Sequence, residues 1–131
     1  MKLFLSLLFL ITLSFADFIG LTPNTLQNKI DEKMVVIDIR TPEEWKESGV
    51  IPTSKKIMFF DQSGKYDVDK WLNEFSKYVK NSEQPFVLVC RSGNRTGVVG
   101  DFLANRLGYK HVFHLEHGIN SWISQNRITE K

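Results

Sequence analysis

The chain has 131 residues, enough for one domain of ordinary size and too few for two independent cores. Apolar residues make up 42% and charged residues 24%, a balance that supplies a core and a soluble surface and excludes wholesale disorder. The net charge of +2 is scattered, which argues against nucleic acid as a partner, and the single cysteine, Cys90, excludes an internal disulfide, a multi-cysteine zinc site and an iron–sulfur cluster.

At the N-terminus, Lys2 precedes an uncharged apolar run from Leu3 to Leu13, which ends near the small-residue pattern Ser14-Phe15-Ala16. A basic residue, a short greasy helix and small residues at a peptidase site, in that order, make a secretory signal peptide. Residues 1–16 are therefore expected to be a signal cleaved after Ala16, and 17–131 the working domain. A spanning helix wants about 20 apolar residues. No stable membrane anchor is expected after cleavage, and the protein should be periplasmic or secreted. Oxidising compartments usually pair or eliminate thiols, so an unpaired Cys90 there reads as a reactive one.

Along the remaining chain, Asp17–Leu21 is a short strand, and Thr22-Pro23 caps a helix to about Lys29. Met34–Ile39 is almost continuously apolar and β-branched, as suits a strand buried on both faces. Thr41-Pro42-Glu43-Glu44 supplies an N-cap, a first-turn proline and a capping-box glutamate for a short helix carrying Trp45 to about Glu47. Lys56–Phe60 reads as a further strand. From Val68 to Val79, apolar residues recur every three or four positions with Asp67 as cap, which predicts a long amphipathic helix whose Trp71 and Phe75 belong to the core. Phe86–Val89 is a buried strand ending at Cys90, and Val98, Val99, Phe102, Leu103 and Leu107 mark a helix that stops at Gly108. His111–Leu115 and Ile119–Gln125 give a last strand and helix. Strand and helix alternate throughout, which predicts an α/β domain with a mainly parallel five-stranded sheet and helices on both faces. Ligands bind such sheets beyond the carboxyl ends of strands, where Cys90 lies.

The segment Cys90-Arg91-Ser92-Gly93-Asn94-Arg95 places one thiol between a buried strand and a helix, in a tight polar loop. Amides entering a helix N-terminus point at an anion, the helix dipole adds positive charge, and Arg91 and Arg95 add two full charges. The anion most naturally held there is the Cys90 thiolate. Cysteine-dependent phosphatases have a similar arrangement with five residues between Cys and Arg, whereas Cys90 and Arg95 are separated by four. The shorter cradle suits a sulfur atom above the thiol better than a phosphate.

Together, Val36–Trp45, the turn Ser48-Gly49-Val50-Ile51-Pro52, the Cys90–Arg95 loop, and Gly108-Tyr109 with His117–Trp122 resemble a single-domain rhodanese, a thiosulfate sulfurtransferase-like protein. Two residues depart from that pattern: Val50 where the family usually has His, and His117 where it has the first of two glycines. The resemblance implies a rhodanese-like domain over 17–131 and transfer of a sulfane sulfur, from thiosulfate or a similar donor to a thiol or cyanide acceptor, through a Cys90 persulfide. Cys90 is then the nucleophile. Arg91, Ser92, Gly93, Asn94 and Arg95 form the anion-binding loop, with the amides of 91–95 around the sulfur and both arginines on the donor's oxygens. Asp38, Arg40 and Thr96 are expected to support that loop. The implied partners are a small sulfur donor and a thiol acceptor, which includes thiol proteins; no cofactor, no metal and a monomeric state are expected. A persulfide carrier or binding module with little turnover stays open, as does a cysteine phosphatase or arsenate reductase. His111, His114 and His117 recur every third residue, but 111 and 114 point to opposite faces of a strand and cannot share a metal. They are read as surface or loop residues, with His117 near the pocket. Trp45 and Trp122 are read as packing residues, and Phe59 or Phe60 as lining the mouth of the site.

Overall fold

A computed structural model describes residues 16–131. The expected export segment lies outside the described residues except for Ala16, which packs against the core. Five strands, β1 (Asp17–Leu21), β2 (Val35–Asp38), β3 (Lys55–Lys56), β4 (Phe86–Val89) and β5 (His111–Leu115), form one sheet in the order β1-β5-β4-β2-β3. Every pairing is parallel. Helices α1 (Pro23–Asp31), α2 (Pro42–Ser48), α3 (Val68–Phe75), α4 (Asn94–Asp101) and α5 (Gly118–Ser124) join them.

The period-two geometry of the strands sorts the core into two layers. Ile37, Phe86, Leu88, Cys90 and Val112 pack with Trp71 and Phe75 of α3 and Val99 of α4. Val36, Val87, Val89 and Leu115 pack on the other face with Leu26 of α1 and Ile119 and Trp122 of α5. Phe86, Val87, Leu88 and Val89 are all buried, as a central strand covered on both sides requires.

The capping signals fall where the sequence put them. Thr22 and Thr41 each accept from the amide three residues on, and each closes a reciprocal capping box, with Thr25 and Glu44 respectively. Three boundaries differ from expectation. The strand expected over 56–60 is reduced to Lys55–Lys56, because beyond it only alternate amides reach β2's end: Ile57 donates to the Asp38 carbonyl and Phe59 to that of Ile39. Phe59 then turns into an aromatic chain with Phe60, Tyr66 and Trp71, at centroid distances of 4.8, 5.7 and 5.2 Å. The helix expected to reach Val79 stops at Phe75, where the Ser76 hydroxyl bonds back to the Asn73 carbonyl and Lys77 and Tyr78 donate three residues back. Val79 remains buried all the same. Helix α4 begins at Asn94 and passes into a π-helical segment, Phe102–Arg106. The buried stripe runs through Val99, Leu103 and Ala104, while the expected core positions Val98, before the widened turn, and Leu107, after it, are exposed.

At the end of β2, Asp38 and Arg40 form a buried ion pair, with 0% and 2% of their side-chain surfaces exposed. Every strong donor nearby is used. The Arg40 amide, its Nε and the Trp45 indole N–H all donate to Asp38 Oδ1, while the two terminal nitrogens of Arg40 also donate to Ser48 Oγ and the Gly49 carbonyl, both at 2.7 Å. A buried charge stripped of its partner costs about 3–5 kcal/mol. Asp38→Ala should therefore lower the unfolding free energy in urea by about 3–5 kcal/mol, several times the roughly 1 kcal/mol expected for removing the α2 cap with Thr41→Ala.

Candidate active site

Cys90 directly follows β4 and is 1% exposed. The loop after it is oriented from outside. The Ile119 amide donates to the Cys90 carbonyl at 2.8 Å and the Asn120 amide to the Arg91 carbonyl at 3.1 Å, so the N-terminus of α5 draws the loop's carbonyls toward itself. The Gly93 amide donates to Cys90 Sγ at 3.2 Å and the Thr96 amide at 3.4 Å, and the Thr96 hydroxyl lies 3.4 Å from the same atom.

Gly93 caps α4 in the left-handed region, at φ 98°, and has no side chain to receive the amides of the first turn. Cys90 Sγ receives one of them instead, the amide of Thr96. The sulfur thus fills the place of a capping oxygen, where negative charge is favoured by the helix terminus. Two glycines permit the packing. A Cβ on Gly93 would come within 1.9 Å of the Glu116 carbonyl oxygen, and one on Gly118, at φ 67°, within 2.1 Å of the Arg91 carbonyl oxygen. His117 stands where the first glycine of the family pattern would be, but its φ of −106° is open to any residue. The other departure, Val50, is buried and forms an antiparallel bridge with Glu130.

The arginines of the loop have different surroundings. Arg95 is held by Glu44 of α2 through two parallel hydrogen bonds of 2.7 and 2.8 Å. That bidentate grip lowers the Glu44 pKa below the ordinary carboxylate range and raises that of Arg95 further. Sequence reasoning assigned Glu44 to the capping box alone. It fills both roles, because its Oε1 also accepts weakly from the Thr41 amide and hydroxyl. Arg91 is exposed and has no ion-pair partner among the described residues. It borders a polar pocket of about 110 Å³ with Arg40, Glu44, Glu47, Ser48 and Asn120.

Of the expected anion ring over 91–95, only the Gly93 amide reaches Sγ; the second amide donor belongs to Thr96, and Ser92 and Asn94 are exposed on the loop's surface. Thr96 is fully buried beside the sulfur. Asp38 and Arg40 bond one another and the end of α2, so their link to the loop runs through that helix and Glu44. Trp45 adds a hydrogen bond to its packing, and Trp122 donates to the Ile128 carbonyl. His117 is exposed beside the loop. His114 departs from its reading as a surface residue: it is half-buried, with Nδ1 2.8 Å from Thr96 Oγ1. Its position opposite Leu88 puts it on the Cys90 face of the sheet, a placement that requires the β4–β5 register.

Residues 22–125 match the family model described as a rhodanese-like domain. The chain belongs to the rhodanese-like family. It is 29% identical over 95 residues to the rhodanese domain-containing protein CG4456 of Drosophila melanogaster, an alignment covering 71% of this chain and 85% of that protein. The uncharacterized protein RP600 of Rickettsia prowazekii is 28% identical over 92 residues, covering 68% and 72% respectively. Among solved structures, the human single-domain sulfurtransferase TSTD1 matches with a TM-score of 0.62 at 19% identity, over 81% of this chain and 96% of that one. The polysulfide-sulfur transferase of Wolinella succinogenes matches with a TM-score of 0.64 at 20% identity, over 86% and 78%. These structural likenesses establish the shared rhodanese-like fold.

Within this rhodanese-like domain the Arg95–Glu44 pair is 27% and 22% exposed, so its contribution is that of a half-screened ion pair. Glu44→Gln should cost about 1 kcal/mol at neutral pH. Because folding lowers the Glu44 pKa, that contribution is complete above the ordinary glutamate value of 4.5 and fades as pH falls through the lowered folded value. Unfolding curves of wild type and variant should therefore separate at pH 7 and converge in acid.

Proposed function

We propose that this protein is a sulfurtransferase in which Cys90 carries the sulfur as a persulfide. The observation that carries the reading is the polar setting of one buried sulfur at a helix N-terminus: two amides donate to it and the Thr96 hydroxyl lies beside it. In the first step, the Cys90 thiolate attacks the outer sulfur of thiosulfate or a similar sulfane donor. A new S–S bond forms, the donor's S–S bond breaks, and sulfite departs with its electron pair, leaving the terminal sulfur of the persulfide negatively charged. In the second step, an acceptor thiolate or cyanide attacks that outer sulfur, and the Cys90 thiolate returns as leaving group. Charge is conserved in both steps, and the same donors serve thiolate and persulfide.

Arg91, exposed at the loop's rim, is the group we assign to the leaving sulfite's oxygens. Arg95 is committed to Glu44 and contributes fixed positive charge rather than a free fork. The depth of the sulfur supports a slender sulfane atom over a phosphate, in keeping with the four-residue loop. The motif over residues 1–16 supports export to the periplasm or the medium, with the acceptor a small thiol or a thiol protein.

Incubation with thiosulfate should add one sulfur atom to wild-type protein, detected by intact mass and lost on treatment with a thiol or cyanide. Cys90→Ser should remain unmodified. Arg91→Ala should slow sulfur loading by about 10-fold or more, in line with loss of one charged hydrogen bond, and leave thiol alkylation of Cys90 nearly unchanged. A wild-type Cys90 that stays unmodified across a panel of sulfane donors would refute the proposal; a persulfide that forms but is not discharged would instead assign a carrier.

A further inference from the structure

The Thr96 hydroxyl has one proton and three neighbours able to receive it. Oγ1 lies 3.2 Å from the Gly93 carbonyl oxygen, 3.4 Å from Cys90 Sγ and 2.8 Å from His114 Nδ1. The imidazole contact is the shortest. A hydroxyl donates once and accepts through two lone pairs, so the state of Nδ1 constrains what the hydroxyl presents to the sulfur. With Nδ1 bare, the hydroxyl donates to the ring and turns a lone pair toward Sγ, which suits a thiol and opposes a thiolate. With Nδ1 protonated, the ring donates, and the hydroxyl proton is freed for a thiolate Sγ, whose charge competes for it with the neutral Gly93 carbonyl.

The ring is fixed well enough for this to matter. β5 sets His114 beside Gly20 of β1 and Leu88 of β4, and the Phe18 ring packs on it with centroids 4.8 Å apart. We propose that His114 is a positioning residue for Cys90, acting through Thr96: the proton on Nδ1 sets the direction of the Thr96 hydroxyl and thereby the charge state favoured at the sulfur. The inference rests on Cys90 as the reactive thiol, but not on any particular donor or acceptor.

The titratable groups around the ring are Glu116 and His117 from the turn after β5, and Cys90 through Thr96 of α4; β1 offers Phe18 and Gly20, and β4 offers Leu88. Burial holds His114 below the ordinary imidazole range, Glu116 opposes that shift and His117 adds to it. At neutral pH the ring is uncharged, and its tautomer does the selecting. Loss of the Cys90 proton favours movement of the ring proton from Nε2 to Nδ1. By linkage, protonating the ring in acid also favours the thiolate.

The test is the rate of Cys90 alkylation by iodoacetamide against pH, on the full chain and without a sulfur donor. His114→Leu, which can no longer draw the hydroxyl proton away from the sulfur, should raise the rate at neutral pH by about three- to tenfold and move the profile downward by about half to one unit, the effect of one hydrogen bond. His114→Asn, which restores a polar partner for the hydroxyl, should return the profile most of the way to wild type. In a Thr96→Val background, His114→Leu should have no further effect. A His114→Leu profile superimposed on wild type, or an equal change with and without Thr96, would overturn the inference. A measurement on wild type makes the outcome independent of how the variants fold: the nitrogen-15 shifts of His114 should step at the pH where thiolate absorbance rises, and the step should vanish in Cys90→Ala. Absence of that step in wild type would equally overturn it. Failure of every sulfane donor to load Cys90 would count against the transferase reading alone and leave these outcomes intact.

Discussion

The site depends on a contact that never touches the sulfur: the amides of Ile119 and Asn120 bonding the carbonyls of Cys90 and Arg91. Each peptide plane is rigid, so these two bonds fix the Cys90–Arg91 and Arg91–Ser92 planes from which the chain turns to bring the Gly93 and Thr96 amides to the sulfur. The sheet makes this contact possible. Because β4 and β5 are parallel neighbours, the segments leaving their carboxyl ends emerge side by side, and one can orient the other. Gly93 and Gly118 then let the two backbones approach more closely than any side chain would permit.

The second support comes from β2. Its Asp38–Arg40 pair is buried, and such pairs contribute little net stability compared with apolar residues of the same volume. What this one supplies is placement. By binding Ser48 and Gly49 as well as Asp38, Arg40 fixes the far end of α2, while Thr41 and Glu44 fix the near end. The helix so clamped presents Glu44 to Arg95, across a sequence separation of 51 residues. Two neighbours of β4 thus hold its loop from two sides, β5 through backbone and β2 through charge.

Much of this was legible from the residues. Thr41, Pro42 and Glu44 announced a capped helix because capping is local chemistry at fixed spacing, and Cys90, Gly93 and the two arginines announced an anion loop for the same reason. Glu44 as the partner of Arg95 and His114 as the partner of Thr96 were not, since each contact joins elements whose register is set by tertiary packing. Parity on a strand separates His111 from His114, but it does not say which of them faces the cysteine. The overlong expectations for α3 and for the strand near Phe59 have a related origin. Apolar spacing continues through Tyr78 and Phe60, while the backbone follows the Ser76 hydroxyl and the aromatic chain around Trp71.

The π-helical turn at Phe102–Arg106 has a consequence for how the domain tolerates change. Each residue of an α-helix advances the rotation by about 100°, and a turn closed one residue later absorbs an added residue without passing its rotation upstream. Thr96 and Val99 therefore keep their azimuth toward the sulfur while the turn takes up one extra residue beyond Asp101. The turn acts as a slip joint: the reactive end of the helix and the stretch that leads into β5 are geometrically decoupled, so length changes in one need not be answered by repacking in the other.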